Sequence, residues 1–200
     1  MKTLLGYLDI LADFYESPSL GVRETVERAP LGLGVLCFLL SGATLSVAQA
    51  LKGGGSMWLF RLLPLAAVLM LAALLPLITG FLLAGILHLT AEVLGAERGT
   101  AKGLFVLLGM SQCLYLLYLP VILTTQVLTA NPGSWRAAAL AALAMGSLAL
   151  KLAGIKANYG FSTVRAGAVL LLPVLTALLL LVGGVGYMVG SALSLGHLLE

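Results

Sequence analysis

The chain has 200 residues, of which 10% are charged and 60% are hydrophobic, and its formal net charge is +3. A soluble globular domain has about a quarter charged residues and just under half apolar residues. The composition therefore predicts an integral membrane protein rather than a soluble domain. The net charge is small and no run of five basic residues occurs, so we expect no nucleic-acid partner.

The first thirty residues form a segment that is richer in acidic residues than the rest of the chain. Four apolar side chains recur on one helical face: Leu4, Leu8, Leu11 and Tyr15. The opposite face is acidic and bears Asp9, Asp13 and Glu16. Anionic lipid would repel such a face, so we expect the amphipathic helix to dock on protein rather than on a lipid surface. Pro18 ends this helix, and a short polar helix over 19–28 leads to the membrane.

Five apolar runs follow, at about 31–51, 64–87, 103–128, 137–155 and 166–189. About 20 helical residues cross a hydrocarbon layer of about 30 Å, so each run predicts a membrane span. We therefore predict an all-α bundle of five transmembrane helices over 31–190, with a cytoplasmic segment over 1–30 and a short tail over 191–200. Prolines in these runs indicate bent helices. Lys151 lies near the end of the fourth run, where we expect its ammonium to reach the interface.

The turn between the second and third spans carries more charged residues than any other stretch between the first and last apolar runs: Glu92, Glu97, Arg98 and Lys102. It begins after His88 and extends over 90–102. Because Lys and Arg concentrate on the cytoplasmic side of membrane proteins, the placement of eight of the eleven basic residues decides the orientation. It predicts that the N-terminus, this turn and the turn after the fourth span are cytoplasmic, and that the C-terminus lies outside.

A polar cluster is predicted from four residues in and near the spans: His88, Glu92, Gln112 and Tyr115. His88 and Glu92 stand four apart and share a helical face, which favours a hydrogen-bonded pair. Two ligands are too few for a structural zinc site, so we expect no metal and no cofactor. Gln112 lies deep in an apolar span and needs polar partners. It serves either as a structural link between helices or as part of a substrate path.

No motif of a catalytic site occurs in the chain, which predicts a protein that is not an enzyme. No charged residue is expected deep in a span, which disfavours a pump or a proton-coupled transporter. Ala138, Ala142 and Gly146 recur every four positions in the fourth span. Such small residues let helices approach closely. We expect them to pack inside the bundle, with a contact between copies of the chain as the alternative.

Several short motifs occur in a fixed order along the chain. They are His88-Leu89, Leu94-Gly95, Gly99-Thr100, Gly103-Leu104-Phe105, Gly109, Leu119-Pro120 and the segment 156–163 followed by Arg165-Ala166. Their order and the five-span layout resemble the Yip-domain family, the Ypt/Rab-interacting five-span membrane proteins, and in particular its prokaryotic branch. Two positions differ from the eukaryotic pattern, at the N-terminal segment 13–18 and at Gly109-Met110.

The resemblance implies a membrane adaptor that binds other membrane proteins, since eukaryotic relatives bind prenylated small GTPases and one another. We carry over the fold and the adaptor class to a prokaryotic inner-membrane protein, whose partners are membrane lipids, other membrane proteins and further copies of itself, without a GTPase. The candidate partner-binding residues are Asp13, Tyr15, Tyr159, Gly160 and Arg165. The alternative is a small oligomeric transporter or channel subunit that uses the polar cluster.

The segment 159–163 also has the residues of a tight helix-to-helix turn. Gly160 can take the left-handed conformation that often ends a helix, and Ser162 or Thr163 can cap the helix that follows. The segment is therefore predicted either as a structural turn or as part of a partner site.

Overall fold

The computed structural model of the chain describes residues 2–16, 22, 25, 30–51, 65–128 and 132–196. An N-terminal helix, Lys2–Glu16, precedes the bundle. The spans are the first, Leu31–Leu51; the second, Leu65–Val93; the third, Ala101–Gln112, Cys113–Leu117 and Tyr118–Leu128; the fourth, Pro132–Tyr159; and the fifth, Thr163–Gly196. Within this part of the chain, five helices are long and apolar enough to cross a membrane. The predicted all-α, five-span architecture is thus confirmed.

The second span extends further than the apolar run indicated. It continues through His88 to Val93, and the turn occupies only Leu94–Thr100. Polar residues at a helix end leave the hydrocarbon without breaking the helix, so the prediction that the chain turns just after His88 was wrong. The Thr100 side chain caps the next helix by accepting a hydrogen bond from the Gly103 amide. The predicted helix over 19–28 lies outside the described residues, except for Val22 and Thr25.

The fourth span also continues beyond its predicted end, and this changes the position of Lys151. The helix ends at Tyr159, eight residues after Lys151. At 1.5 Å per residue this is about 12 Å of helix. Lys151 is therefore about two turns inside the helix rather than at its end, where the apolar run had placed it.

The third span is interrupted in its middle by a 3₁₀ segment, Cys113–Leu117. Pro120 follows this segment, and a proline ring clashes with the carbonyl group four residues earlier while offering no amide hydrogen. The third span is therefore irregular just before Pro120, while the bending of the helices stays a prediction. Pro76 and Pro173, in contrast, lie inside continuous helices.

The centre of the bundle is the first half of the third span, where residues 103–111 are all buried. It packs against the first, second and fourth spans. It comes very near to the first span, because a Cβ atom added to Gly109 would lie 2.7 Å from the Gly34 carbonyl oxygen. Only a residue without a side chain lets the two backbones meet at this distance.

The N-terminal helix docks on the bundle, as we expected for a helix whose acidic face disfavours a lipid surface. Phe14 is fully buried and Ile10 nearly so, while Tyr7 and Leu11 are partly buried against the same core. The buried face of this helix is not the predicted one, because Leu8 of the predicted face is 54% exposed while Ile10 and Phe14 are buried. Leu8 instead lines an apolar groove between this helix and the first and third spans.

The outer part of the bundle is apolar and exposed, as expected for contact with lipid. Among the residues of the fifth span whose burial the structure describes, Ala166 and Val169 in the first turns are buried, whereas the leucines from Leu171 to Leu181 are exposed. Ala138 and Ala142 of the fourth span are exposed too. The expectation that these two alanines pack inside the bundle was therefore wrong, whereas Gly146 does lie close to Leu114 of the third span.

Candidate functional site at the hairpin end

Two turns lie side by side at one end of the bundle, which we call the hairpin end. They are Leu94–Thr100, between the second and third spans, and residues 160–162, between the fourth and fifth. The Asn158 side-chain amide donates a hydrogen bond to the Thr100 carbonyl oxygen over 3.2 Å. This bond places both turns at the same end of the bundle, as the prediction that they share one side of the membrane requires.

Glu92, His88 and Tyr159 form a continuous polar chain at this end. The His88 Nδ1 lies 2.7 Å from the Tyr159 hydroxyl oxygen. The His88 Nε2 lies 3.4 Å from a Glu92 carboxylate oxygen, one helical turn away. The predicted contact between His88 and Glu92 is therefore present. With the proton on Nε2, the imidazole donates to the carboxylate and accepts from the tyrosine, which satisfies both ring nitrogens.

Three rings stack in the same place. The His88 and Tyr159 rings are 5.8 Å apart with an interplanar angle of 26°, and the Tyr159 and Phe161 rings are 5.7 Å apart at 27°. Tyr159 and Phe161 are both buried. The stack therefore joins the end of the second span to the turn that follows the fourth span, and it holds the Tyr159 hydroxyl toward His88.

Glycines allow the two turns to fit together. Gly160 has a φ of +69°, which confirms its predicted left-handed conformation, and Gly99 has a φ of +102°. A Cβ atom on Gly160 would lie 2.5 Å from the Arg98 guanidinium, so that side chain covers the glycine. Ser162 accepts a hydrogen bond from the Arg165 amide over 3.4 Å, as predicted for the cap of the fifth span. The Arg98 side chain of the first turn thus packs against Gly160 of the second turn.

The outer surface of the hairpin end combines exposed apolar and charged side chains. Val93, the last residue of the second span, is 86% exposed, and Val164, the second residue of the fifth, is 82% exposed. The second and fifth spans pack against each other. Glu92, Arg98 and Arg165 are also exposed here. Exposed apolar groups beside charges, on a rigid support, are typical of a protein interaction surface.

The other predicted partner-binding residues lie on the N-terminal helix. Asp13 is exposed, whereas the Tyr15 hydroxyl donates a 2.7 Å hydrogen bond to the Met110 carbonyl oxygen of the third span. Burial raises the pKa of the Tyr15 phenol above its ordinary value, and the nearby thiols of Cys113 and Cys37 add to the rise. Tyr15 therefore attaches the N-terminal helix to the bundle and is itself only partly exposed.

The predicted polar cluster divides into two places. His88 and Glu92 belong to the hairpin end, whereas Gln112 lines a small cavity between the spans together with Lys151. Tyr115 is half-buried in the 3₁₀ segment. No group of three metal-ligating side chains comes together in the described part of the chain.

Sequence reasoning missed Asn158, Thr100 and Arg98 as members of the hairpin end. Thr100 and Asn158 belong to the short motifs and Arg98 to the predicted turn, but a side-chain bond between turns 58 positions apart leaves no local pattern. It also missed Lys151, because the fourth helix was predicted to end too early.

Comparison with protein families gives one match that covers most of the chain. A family model described as the Yip1 domain matches residues 12–185. This range includes the last five residues of the docked N-terminal helix, both turns of the hairpin end and the candidate residues from Asp13 to Arg165. No curated protein and no solved structure matches the chain significantly.

Proposed function

The chain belongs to the Yip1 domain family, and from this premise we propose that it is a non-enzymatic membrane adaptor that binds other membrane proteins. The binding surface we propose is the hairpin end, on the cytoplasmic side of a prokaryotic inner membrane. The observation that carries the proposal is the exposure of Val93, Val164 and Arg165 at helix ends next to two turns that partly buried hydrogen bonds hold together.

The rigidity of this surface supports a binding role. Two turns that are bonded to each other lose little conformational entropy when a partner docks, which leaves more of the contact energy for affinity. The buried stack of His88, Tyr159 and Phe161 supplies this rigidity from below. We therefore assign Tyr159 and Gly160 to positioning the surface, and we assign Arg165, Val93 and Val164 to touching the partner.

The N-terminal helix supplies a second, acidic part of the proposed surface. Asp9, Asp13 and Glu16 are exposed, while Phe14 and Tyr15 fix the helix to the bundle. A basic segment of another membrane protein, or of a second copy of this chain, would complement these carboxylates.

Photocrosslinking in intact membranes tests the adaptor proposal. A photoreactive residue at Val93 or Val164 should give the same discrete adduct, because both positions would face one partner. Trp135, an exposed residue at the start of the fourth span, is the matched control and should not give it. Arg165→Glu in the crosslinking chain should lower the adduct yield at least severalfold. Equal adducts at all three positions, or no effect of Arg165→Glu, would contradict the proposal.

A second candidate function is a small oligomeric transporter or channel subunit. The observation that favours it is the polar cavity between the spans that Gln112 and Lys151 line. Purified protein in proteoliposomes would then conduct a solute, and Gln112→Leu would abolish the flux. An adaptor would instead show no flux above that of empty liposomes.

A further inference from the structure

A polar cavity of about 110 Å³ lies among the first four spans. Its polar lining residues, one from each span, are Ser41, Thr79, Gln112 and Lys151; Phe38, Leu83 and Leu108 are among the apolar residues around them. We propose that this cavity binds a small inorganic anion of halide size, held by the Lys151 ammonium and the Gln112 carboxamide. This proposal is independent of the adaptor function.

The cavity lies well inside the apolar part of the bundle. Lys151 is eight residues from the end of the fourth span, and Gln112 is eleven residues from the start of the third. These separations correspond to about 12 Å and 16 Å of helix. An ionisable side chain at such depth is costly, and it is usually found where it has a function.

The described residues that line the cavity include one cation and no carboxylate. Transfer of an unpaired charge out of water costs several kcal/mol even after the protein relaxes. A bound anion removes this cost, because it supplies the missing opposite charge at the place where the dielectric constant is low.

The hydroxyl groups in the lining do not supply hydrogen-bond donors for the anion. Ser41 donates to the Phe38 carbonyl oxygen over 3.0 Å, and Thr79 donates to the carbonyl oxygens of Leu75 and Pro76 over 2.9 and 3.1 Å. Their oxygen lone pairs remain available to waters. The ammonium and the Gln112 amide are thus the groups of this lining that can donate to an anion.

The volume of the cavity restricts the ligand to a small one. A water molecule takes about 30 Å³ in the liquid, so a space of about 110 Å³ holds one small ion with two or three waters. A lipid headgroup with its acyl chains is larger than this space. Chloride and bromide are therefore the appropriate probes.

Thermal unfolding of the purified protein in an uncharged detergent tests the proposal. At constant ionic strength, replacing gluconate by bromide should raise the Tm along a saturating curve, since a ligand that binds only the folded state stabilises it. Lys151→Met should remove this rise, and Gln112→Leu should weaken bromide binding severalfold. Lys156→Met, an exposed lysine on the same helix, is the matched control and should keep the rise.

A direct binding measurement complements the stability experiment, in case Lys151→Met fails to fold. Radioactive chloride should bind wild-type protein with a stoichiometry of one per chain, and bromide should compete for it. The proposal is overturned if wild-type protein binds no chloride, or if the bromide effect survives in Lys151→Met. It is equally overturned if Lys156→Met loses the effect, because the effect would then be a general response to salt.

Discussion

The Tyr159 hydroxyl and the His88 Nδ1 lie 2.7 Å apart, although the two residues are separated by 71 positions in the sequence. His88 comes from the end of the second span and Tyr159 from the end of the fourth. Their hydrogen bond therefore joins one helical hairpin to another. The same end carries a second connection, from Asn158 to the Thr100 carbonyl oxygen, so the two turns should respond to mutation as one unit.

Replacing Tyr159 by Phe removes the hydroxyl and keeps the ring stack. We expect the free energy of unfolding to fall by about 1 kcal/mol, the usual net value of such a bond. Thermal unfolding in detergent measures this loss. In the adaptor proposal, the photocrosslinking yield at Val164 should fall as well, because the turn is less firmly held. Tyr187→Phe changes an exposed tyrosine of the fifth span and should leave both quantities unchanged.

Gly99→Ala should separate the two turns. The glycine has a φ of +102°, and an added Cβ would lie 2.8 Å from the Asn158 carbonyl oxygen and collide with the Tyr159 ring. Gly95→Ala is a matched control, since Gly95 also has a positive φ, of +83°, but open space around its Cβ position. Both variants carry backbone strain of about 1 kcal/mol. Gly99→Ala should therefore lower the Tm distinctly more than Gly95→Ala, and equal losses would show that the turns are not in contact.

The architecture of this protein was predictable because apolar length alone determines which helices can cross a membrane. Each of the five runs became a span, and Gly160 took the left-handed conformation that its place between two helices required. The ends of the helices were less predictable. Thr90 and Glu92 are polar and favour water over lipid, but the segment contains no glycine or proline that would end a helix. The second span therefore continues past His88 to Val93.

The candidate site was only partly predictable, because its bonds join distant residues. His88 and Glu92 share a helix, and their contact follows from their spacing. The bond from His88 to Tyr159 depends on how the second and fourth spans pack, which no local pattern records. Gln112 was recognised as a buried polar residue that needs partners, but its neighbour Lys151 was placed near a helix end, and the helix continues for eight further residues.

Gly109→Ala should weaken the centre of the bundle. The added methyl group would lie 2.7 Å from the Gly34 carbonyl oxygen and would push the first and third spans apart. Overpacking of this kind typically costs about 1–3 kcal/mol. Gly167→Ala is the control, because this helical glycine has no atom within 4 Å of the added Cβ position. In thermal unfolding, Gly109→Ala should lower the Tm and Gly167→Ala should not. A neutral effect of Gly109→Ala would contradict the close crossing.

Tyr15 should make the attachment of the N-terminal helix sensitive to alkaline pH. Its neutral hydroxyl donates to the Met110 carbonyl oxygen, and burial raises the pKa of this phenol above the ordinary value of about 10. A raised pKa in the folded state means that the stabilisation is complete below the unfolded pKa. It is then lost as the pH rises above about 10 toward the folded pKa.

NMR of protein with labelled tyrosine Cζ atoms measures this directly, with Tyr15→Phe used to assign the signal. The Tyr15 signal should remain that of a neutral phenol at a pH where a model tyrosine has ionised. Wild-type protein should also lose thermal stability above about pH 10, and Tyr15→Phe should lose less of it while being about 1 kcal/mol less stable at neutral pH. Asp13→Asn alters an exposed neighbour and should retain the wild-type profile. A Tyr15 signal that titrates at about pH 10 or below would mean that the phenol is in water and that the N-terminal helix is not docked through it.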